Sequence, residues 1–234
     1  MNHCLMAKEV AKEFKSPDAL IQILEGVTVE FAQGTSYAIM GVSGVGKSTF
    51  MHMLAGLDHP SRGAIFFDGI DIASLSESAR TNYLQTGVGL VFQTPYLIRE
   101  LSVLENVMLP GMVSGQDESI CTARAHELLE SVGLKNKITS KPGTLSIGQQ
   151  QRVALCRALF NKPAFLLADE PTGALDEKTG RAIVDLLLDL QATLQMGLVI
   201  STHDQYVAQA MNVIYEIEGG KMVSRNFGIN GRKQ

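Results

Sequence analysis

Nine consecutive residues, Gly41-Val42-Ser43-Gly44-Val45-Gly46-Lys47-Ser48-Thr49, carry the most specific chemistry in the chain. Three glycines at this spacing let backbone N–H groups turn inward around a polyphosphate. The apolar run Tyr37-Ala38-Ile39-Met40 leads into them, and Phe50-Met51-His52-Met53-Leu54 continues as a helix. The N-terminus of that helix favours an anion. Lys47 supplies charge for the outer phosphates, and the Ser48 hydroxyl is placed to ligate magnesium. The plainer alternative is a glycine-rich turn between strand and helix. The full pattern in a strand–loop–helix setting argues instead for a phosphate-binding loop.

Three further places combine polar side chains with the end of an apolar run. Phe165-Leu166-Leu167-Ala168 ends in Asp169 and Glu170, whose side chains must diverge because neighbours along a strand alternate faces. One carboxylate then holds magnesium while the other addresses the water that attacks the terminal phosphate. A lone acidic pair would instead read as a solvated cap of the next helix. His203 follows the run Leu198-Val199-Ile200-Ser201-Thr202, where an imidazole could contact a γ-phosphate or orient water. Gln93 ends the run from Val88 to Phe92; taken alone it reads as a polar cap. Leu145-Ser146-Ile147-Gly148-Gln149 opens the helical run Val153 to Leu159, so Ser146 is an N-cap, a second anion site, or both.

These residues need a frame that brings them together. Apolar strands alternating with helices imply a parallel sheet covered on both faces, with phosphate loops at the C-terminal ends of its strands. Leu5 to Phe14 and Leu24 to Phe31 read as a β-rich edge ahead of the loop, and Ala64 to Phe67 as a strand closed by a tight turn at Asp68-Gly69. Between 94 and 163 the pattern turns helical, with Ala123, Leu128, Leu129 and Val132 at helical spacing. The sequence therefore predicts one α/β domain over 1–224, with a core of 1–93 and 164–224 and an inserted helical lobe at 94–163. A frayed tail is expected over 225–234.

Bulk properties agree with a single domain. A chain of 234 residues buries about 70 per cent of its unfolded surface. A net charge of −4 offers no field for a phosphate backbone, so nucleic acid is not an expected partner. Three scattered cysteines, Cys4, Cys121 and Cys156, suit reduced thiols in a cytosol. No signal peptide or lipid-anchor motif is visible, and no run approaches the ~18 apolar residues of a membrane span. Any work at a membrane requires other chains to do the spanning.

Taken in order, these motifs resemble the ATP-binding-cassette ATPases from about Leu5 to Val223. Gly41 to Thr49 matches the Walker A loop, Gln93 the Q-loop, Leu145 to Gln149 the signature motif, Phe165 to Glu170 the Walker B strand, Ala174-Leu175-Asp176 the D-loop and His203 the H-loop. The resemblance implies a P-loop NTPase (RecA-like) fold with ATP and Mg2+ as ligands, and Ser48, Gln93 and Asp169 at the metal. Glu170, His203 and Gln93 take the catalytic places, and Phe14 falls where the family stacks an aromatic on adenine, unless it only ends its strand. It also implies a head-to-tail pair of copies, in which Ser146, Gly148, Gln149 and Asp176 complete the partner's site. The usual first signature glycine is Ile147 here, which predicts strain if that position takes positive φ, and a slower composite site.

Among cassettes the chain is most similar to the lipoprotein-releasing (Lol) and macrolide-exporter group. The similarity lies in Gly56-Leu57-Asp58 with Pro60 and Gly63, in Leu104-Glu105-Asn106-Val107 with Leu109-Pro110, and in Pro171-Thr172-Gly173, though Ala174 replaces the usual asparagine. This implies integral membrane permease subunits as partners and a peripheral place on the cytoplasmic face of an inner membrane. A cell-division cassette that transports nothing is the competing expectation. A soluble cassette of repair or translation fits less well, since those generally pair two cassettes in one chain.

Overall fold

The computed structural model describes residues 2–15 and 20–225. In chain order the strands and α-helices are β1 (Cys4–Lys15), β2 (Leu20–Ala32), β3 (Ser36–Met40), α1 (Lys47–Leu54), β4 (Arg62–Phe67), β5 (Ile70–Asp71), α2 (Glu77–Asn82), β6 (Val88–Val91), α3 (Val103–Val113), α4 (Glu118–Ser131), α5 (Ile147–Leu159), β7 (Phe165–Asp169), α6 (Glu177–Leu194), β8 (Gly197–Thr202), α7 (Gln205–Gln209), β9 (Val213–Glu218) and β10 (Lys221–Arg225).

They form two sheets. One is antiparallel in the order β2-β1-β4-β5, and the other runs β10-β9-β3-β8-β7-β6. The second is parallel except for β10, which returns antiparallel along β9. The parallel strands read as unbroken apolar runs because both of their faces are covered. Alternate residues feed two cores. Ala38, Met40, Leu166, Ala168, Leu198 and Ile200 pack with residues of α3 to α6. Tyr37, Ile39, Phe165, Leu167 and Val199 pack on the opposite side with α1 and the antiparallel sheet. The strand ends lie level, with Met40 opposite Thr202, Asp169 opposite Ser201 and Val91 opposite Ala168. Whatever follows each strand therefore emerges on one rim.

The segment from 94 to 163 holds α3, α4 and α5 and no strand, with one difference from the sequence reading. Ala123 faces solvent, and the inward face of α4 is Cys121, Ala125, Leu128 and Leu129. Leu109, Pro110 and Gly111 lie inside α3. A Cβ at Gly111 would stand 2.3 Å from the Phe160 ring and 2.6 Å from Cys121 Sγ, so glycine there permits close helix packing. Ser102 and Glu105 form a capping box that starts α3. The fully buried Asn106 accepts the Ile98 N–H at 2.8 Å and donates to the carbonyls of Ile98 and Ser102 at 3.0 and 2.9 Å, fixing the loop that enters the helix.

Arg225, assigned from sequence to the tail, instead ends β10, its guanidinium bonded to Glu216 and Glu218 at 2.7 and 2.9 Å. The rest of that segment, 226–234, lies outside the described residues. Among the described residues no helix is long and apolar enough to cross a membrane. Cys121 and Cys156 are buried and Cys4 is partly covered, none of them in a disulfide. Burial pushes the Cys156 thiol up to about 12, which makes it an inert space-filler at neutral pH.

Candidate active site

The loop after β3 is shaped by its glycines. Gly46, immediately before α1, takes φ 110°, and a Cβ there would stand 2.5 Å from Ile23 Cγ2. Both the angle and the space demand glycine. Gly41 and Gly44 also take positive φ, while Val42, Ser43, Gly44 and Ser48 lie exposed on the rim and Val45 and Thr49 are partly covered. Lys47 is buried at the first turn of α1. Its ammonium donates to the carbonyls of Gly41 and Val42 at 2.8 and 3.1 Å and lies 3.1 Å from Glu170 Oε1.

Glu170 follows β7 at φ 44°, an angle uncommon outside glycine. Its N–H donates to the Ser201 carbonyl and to Ser201 Oγ at 3.1 and 3.0 Å, which pins that backbone to the end of β8. Its second oxygen lies 3.2 Å from His203 Nδ1. Ser201 Oγ donates in turn to Asp169, so one buried hydroxyl orients both acidic residues. Lys47, Glu170 and His203 are thus brought together from three adjacent strand ends. A side chain in this bridge, Ser201, was not singled out from sequence. The available signal is a serine at the end of an otherwise apolar, fully buried strand, where a hydroxyl needs a polar partner.

Gln93 is exposed two residues beyond β6, and the position of a Cβ on Gly173 would be 2.8 Å from its Nε2. Its side chain therefore rests on the turn after Glu170, where the Gly173 N–H donates to the Glu170 carbonyl at 3.0 Å. Phe14 is 44% exposed near the end of β1, with Lys12 Nζ 5.2 Å from its ring centroid. An open ring face with a neighbouring cation suits stacking on a base.

Ser146, Gly148, Gln149 and Asp176 make no described contact with Lys47. Ser146 caps α5 in a capping box with Gln149: its Oγ accepts the Gln149 N–H at 3.3 Å, and Gln149 Oε1 accepts the Ser146 N–H at 3.1 Å. The serine hydroxyl retains its own hydrogen for an external acceptor. Asp176 caps α6, accepting the Thr179 hydroxyl at 2.6 Å and its N–H at 3.0 Å. Those hydrogen bonds hold its carboxyl below the usual range. A Cβ on Gly148 would meet Thr179 Cγ2 at 2.6 Å, so this glycine is required by packing of α5 on the start of α6.

The strain expected at Ile147 does not arise. It is the first helical residue of α5, is absent from the positive-φ positions, and is half exposed. What it adds is bulk on a helix end that faces outward.

The donor set fits a magnesium nucleotide. Among the described residues there is no cluster of three or more His, Cys, Asp or Glu able to cage an ion. Magnesium held by one carboxylate, a hydroxyl and substrate phosphates requires no such cage.

The pattern described as "ABC transporter" matches residues 24–173. The chain belongs to this family of ATP-binding cassettes. It is 41% identical over 220 residues to the lipoprotein-releasing system ATP-binding protein LolD of Syntrophus aciditrophicus, covering 94% of this chain and 99% of that one. It is 40% identical to the protein of the same name from Oleidesulfovibrio alaskensis, over 94% and 95% of the two chains. Among solved structures, the dimeric cassette MJ0796 superposes with a TM-score of 0.86 at 37% identity, covering 95% of this chain and 100% of that one. The post-hydrolysis dimer of the same cassette, bound to ADP and Pi, gives 0.85 at 36% identity over the same shares.

Proposed function

We propose that two copies of this chain pair head to tail, hydrolyse Mg·ATP at two composite sites, and drive a separate membrane permease that releases lipoproteins from an inner membrane. The observation that carries the hydrolytic reading is the meeting of Lys47, Glu170 and His203 on one rim. The amides of Gly41 to Thr49 wrap the phosphates, Lys47 bears on the outer ones, and Phe14 stacks on the adenine. Magnesium supplies positive charge against the phosphate oxygens, and Ser48, Gln93 and Asp169 are the residues that would hold it. Glu170 accepts a proton from the attacking water, and His203 orients that carboxylate and the γ-phosphate. From the second copy, the Ser146 hydroxyl and the amides at Gly148 and Gln149 close over the same phosphates, with Asp176 beside them.

The helical segment 94–163 acts in this reading as a lobe that carries the Ser146 end toward the partner. The cargo assignment rests on the LolD relatives, which match over nearly their whole length. A chain of this kind works from the cytoplasmic face, bound to permease subunits.

Glu170→Gln tests the chemistry. The variant is expected to bind Mg·ATP, to run as a dimer when nucleotide is present, and to turn over roughly 100-fold more slowly or worse. Near-normal hydrolysis removes Glu170 from its role as base, and a monomer in saturating ATP removes the composite site. Cargo is tested by affinity purification from the native membrane: permease subunits that bind lipoprotein support release, and cell-division proteins in their place overturn it.

A further inference from the structure

Gln151 lies on α5, five residues past Ser146, and is only 2% exposed. Its Nε2 donates to the carbonyl of Phe92 at 2.8 Å and to that of Pro171 at 2.9 Å. Phe92 immediately precedes Gln93, and Pro171 immediately follows Glu170. Because both neighbours are carbonyls, the amide must turn its NH2 toward them. Its Oε1 is then buried with no hydrogen-bond partner among the described residues.

An unpaired buried acceptor is destabilising, and a methionine would fill much the same volume without it. A glutamine here is therefore explained by the two bonds it donates. Those bonds join three segments that bear different parts of the machinery. Through Phe92 the amide holds the root of Gln93, and through Pro171 it holds the turn on which the Gln93 side chain rests and whose Gly173 N–H bonds the Glu170 carbonyl. Its own helix begins with the capping box that presents Ser146.

We propose that Gln151 is a positioning residue that couples the two composite sites, so that engagement of Ser146 on the partner's nucleotide sets the placement of Gln93 and Glu170 at the chain's own. The coupling rests on the composite-site reading above. A shift of α5 pulls on both strand ends through a single amide, so each site's chemistry depends on occupancy of the other.

The test compares wild type with Gln151→Met in three measurements: ATP hydrolysis rates across ATP concentrations, nucleotide affinity of the isolated chain, and Tm. Coupling predicts that kcat falls by about tenfold or more and that the Hill coefficient drops toward one. Affinity should stay within about twofold, and Tm should be unchanged or raised because the orphaned acceptor is gone. Wild-type kcat and Hill coefficient in the variant overturn the proposal. So does a lowered kcat that keeps the Hill coefficient and comes with a lowered Tm, since that marks a packing residue. A Hill coefficient of one in wild type itself overturns the coupling alone, whereas the composite-site reading falls only if the Glu170→Gln variant stays monomeric in saturating ATP. If Gln151→Met yields no soluble protein, Gln151→Asn, one methylene too short to reach both carbonyls, is read by the same outcomes.

Discussion

Around Lys47 the charged residues are held by contacts that cross between strand ends: Lys47 by two loop carbonyls and Glu170, Glu170 by Ser201 and His203, Asp169 by Ser201. Around Ser146 the side chains are held by their own helix starts, through a capping box at α5 and an aspartate cap at α6. The first region is cross-linked over three strand ends, whereas the second is locally complete and turns its exposed residues outward. In the proposed function, chemistry that needs fixed geometry is built on the cross-linked rim, and the part assigned to meet a second copy is built to be stable without it. The contrast also assigns different failures to the two regions. Damage at the rim should disturb nucleotide binding by a single chain, and damage at the helix start should disturb local helix stability and what two chains do together, but not that binding.

Lys47→Ala should break this contrast most severely. Removing a charge-assisted contact to phosphate lowers nucleotide affinity by roughly 10- to 100-fold, read by equilibrium titration with Mg·ATP. Affinity equal to wild type would leave the loop amides as sufficient and remove Lys47 from its assigned place. Ser146→Ala comes next. It should cost about 1 kcal/mol of stability as a lost N-cap, slow hydrolysis severalfold, and leave the affinity of the isolated chain for ATP untouched. Weaker binding by the isolated chain would mean that Ser146 serves its own nucleotide, which erases the distinction between the regions. Ile147→Gly is the mildest. Since the backbone there is already helical, the change relieves bulk alone, so hydrolysis should rise by no more than a few-fold at protein concentrations that favour dimers. An unaltered rate leaves Ile147 without catalytic meaning.

What the sequence disclosed follows from burial. Strands covered on both sides must be apolar throughout, so β3, β7 and β8 stand out as unbroken runs and the residues just past them mark the rim. Elements with an exposed side are written less plainly. Strand β10 is paired on one edge only and is largely polar, so no apolar run marks it in the sequence. Helix α3 is hidden by Pro110 and Gly111, whose purpose is close packing against Phe160 and Cys121 rather than a break. At the site, the loop and the strand-end residues are legible because their spacing is local. Ser201 and Gln151 are not, because each acts on segments distant in sequence. Of the three glutamines Gln149-Gln150-Gln151, nothing in the order of letters says which one faces inward. The strain argued for Ile147 was misplaced because a position at the start of a helix demands no unusual backbone angle.

The Lys47 ammonium has three hydrogens; it donates to the carbonyls of Gly41 and Val42, and the Glu170 carboxylate lies 3.1 Å away as its ion-pair partner. In the proposed function, a phosphate oxygen arriving at this ammonium competes with those three oxygens for its charge. If Glu170 is the partner displaced, loading the loop and freeing the carboxylate become a single exchange of partners, and the cation that welcomes the substrate releases the group proposed to activate water against it.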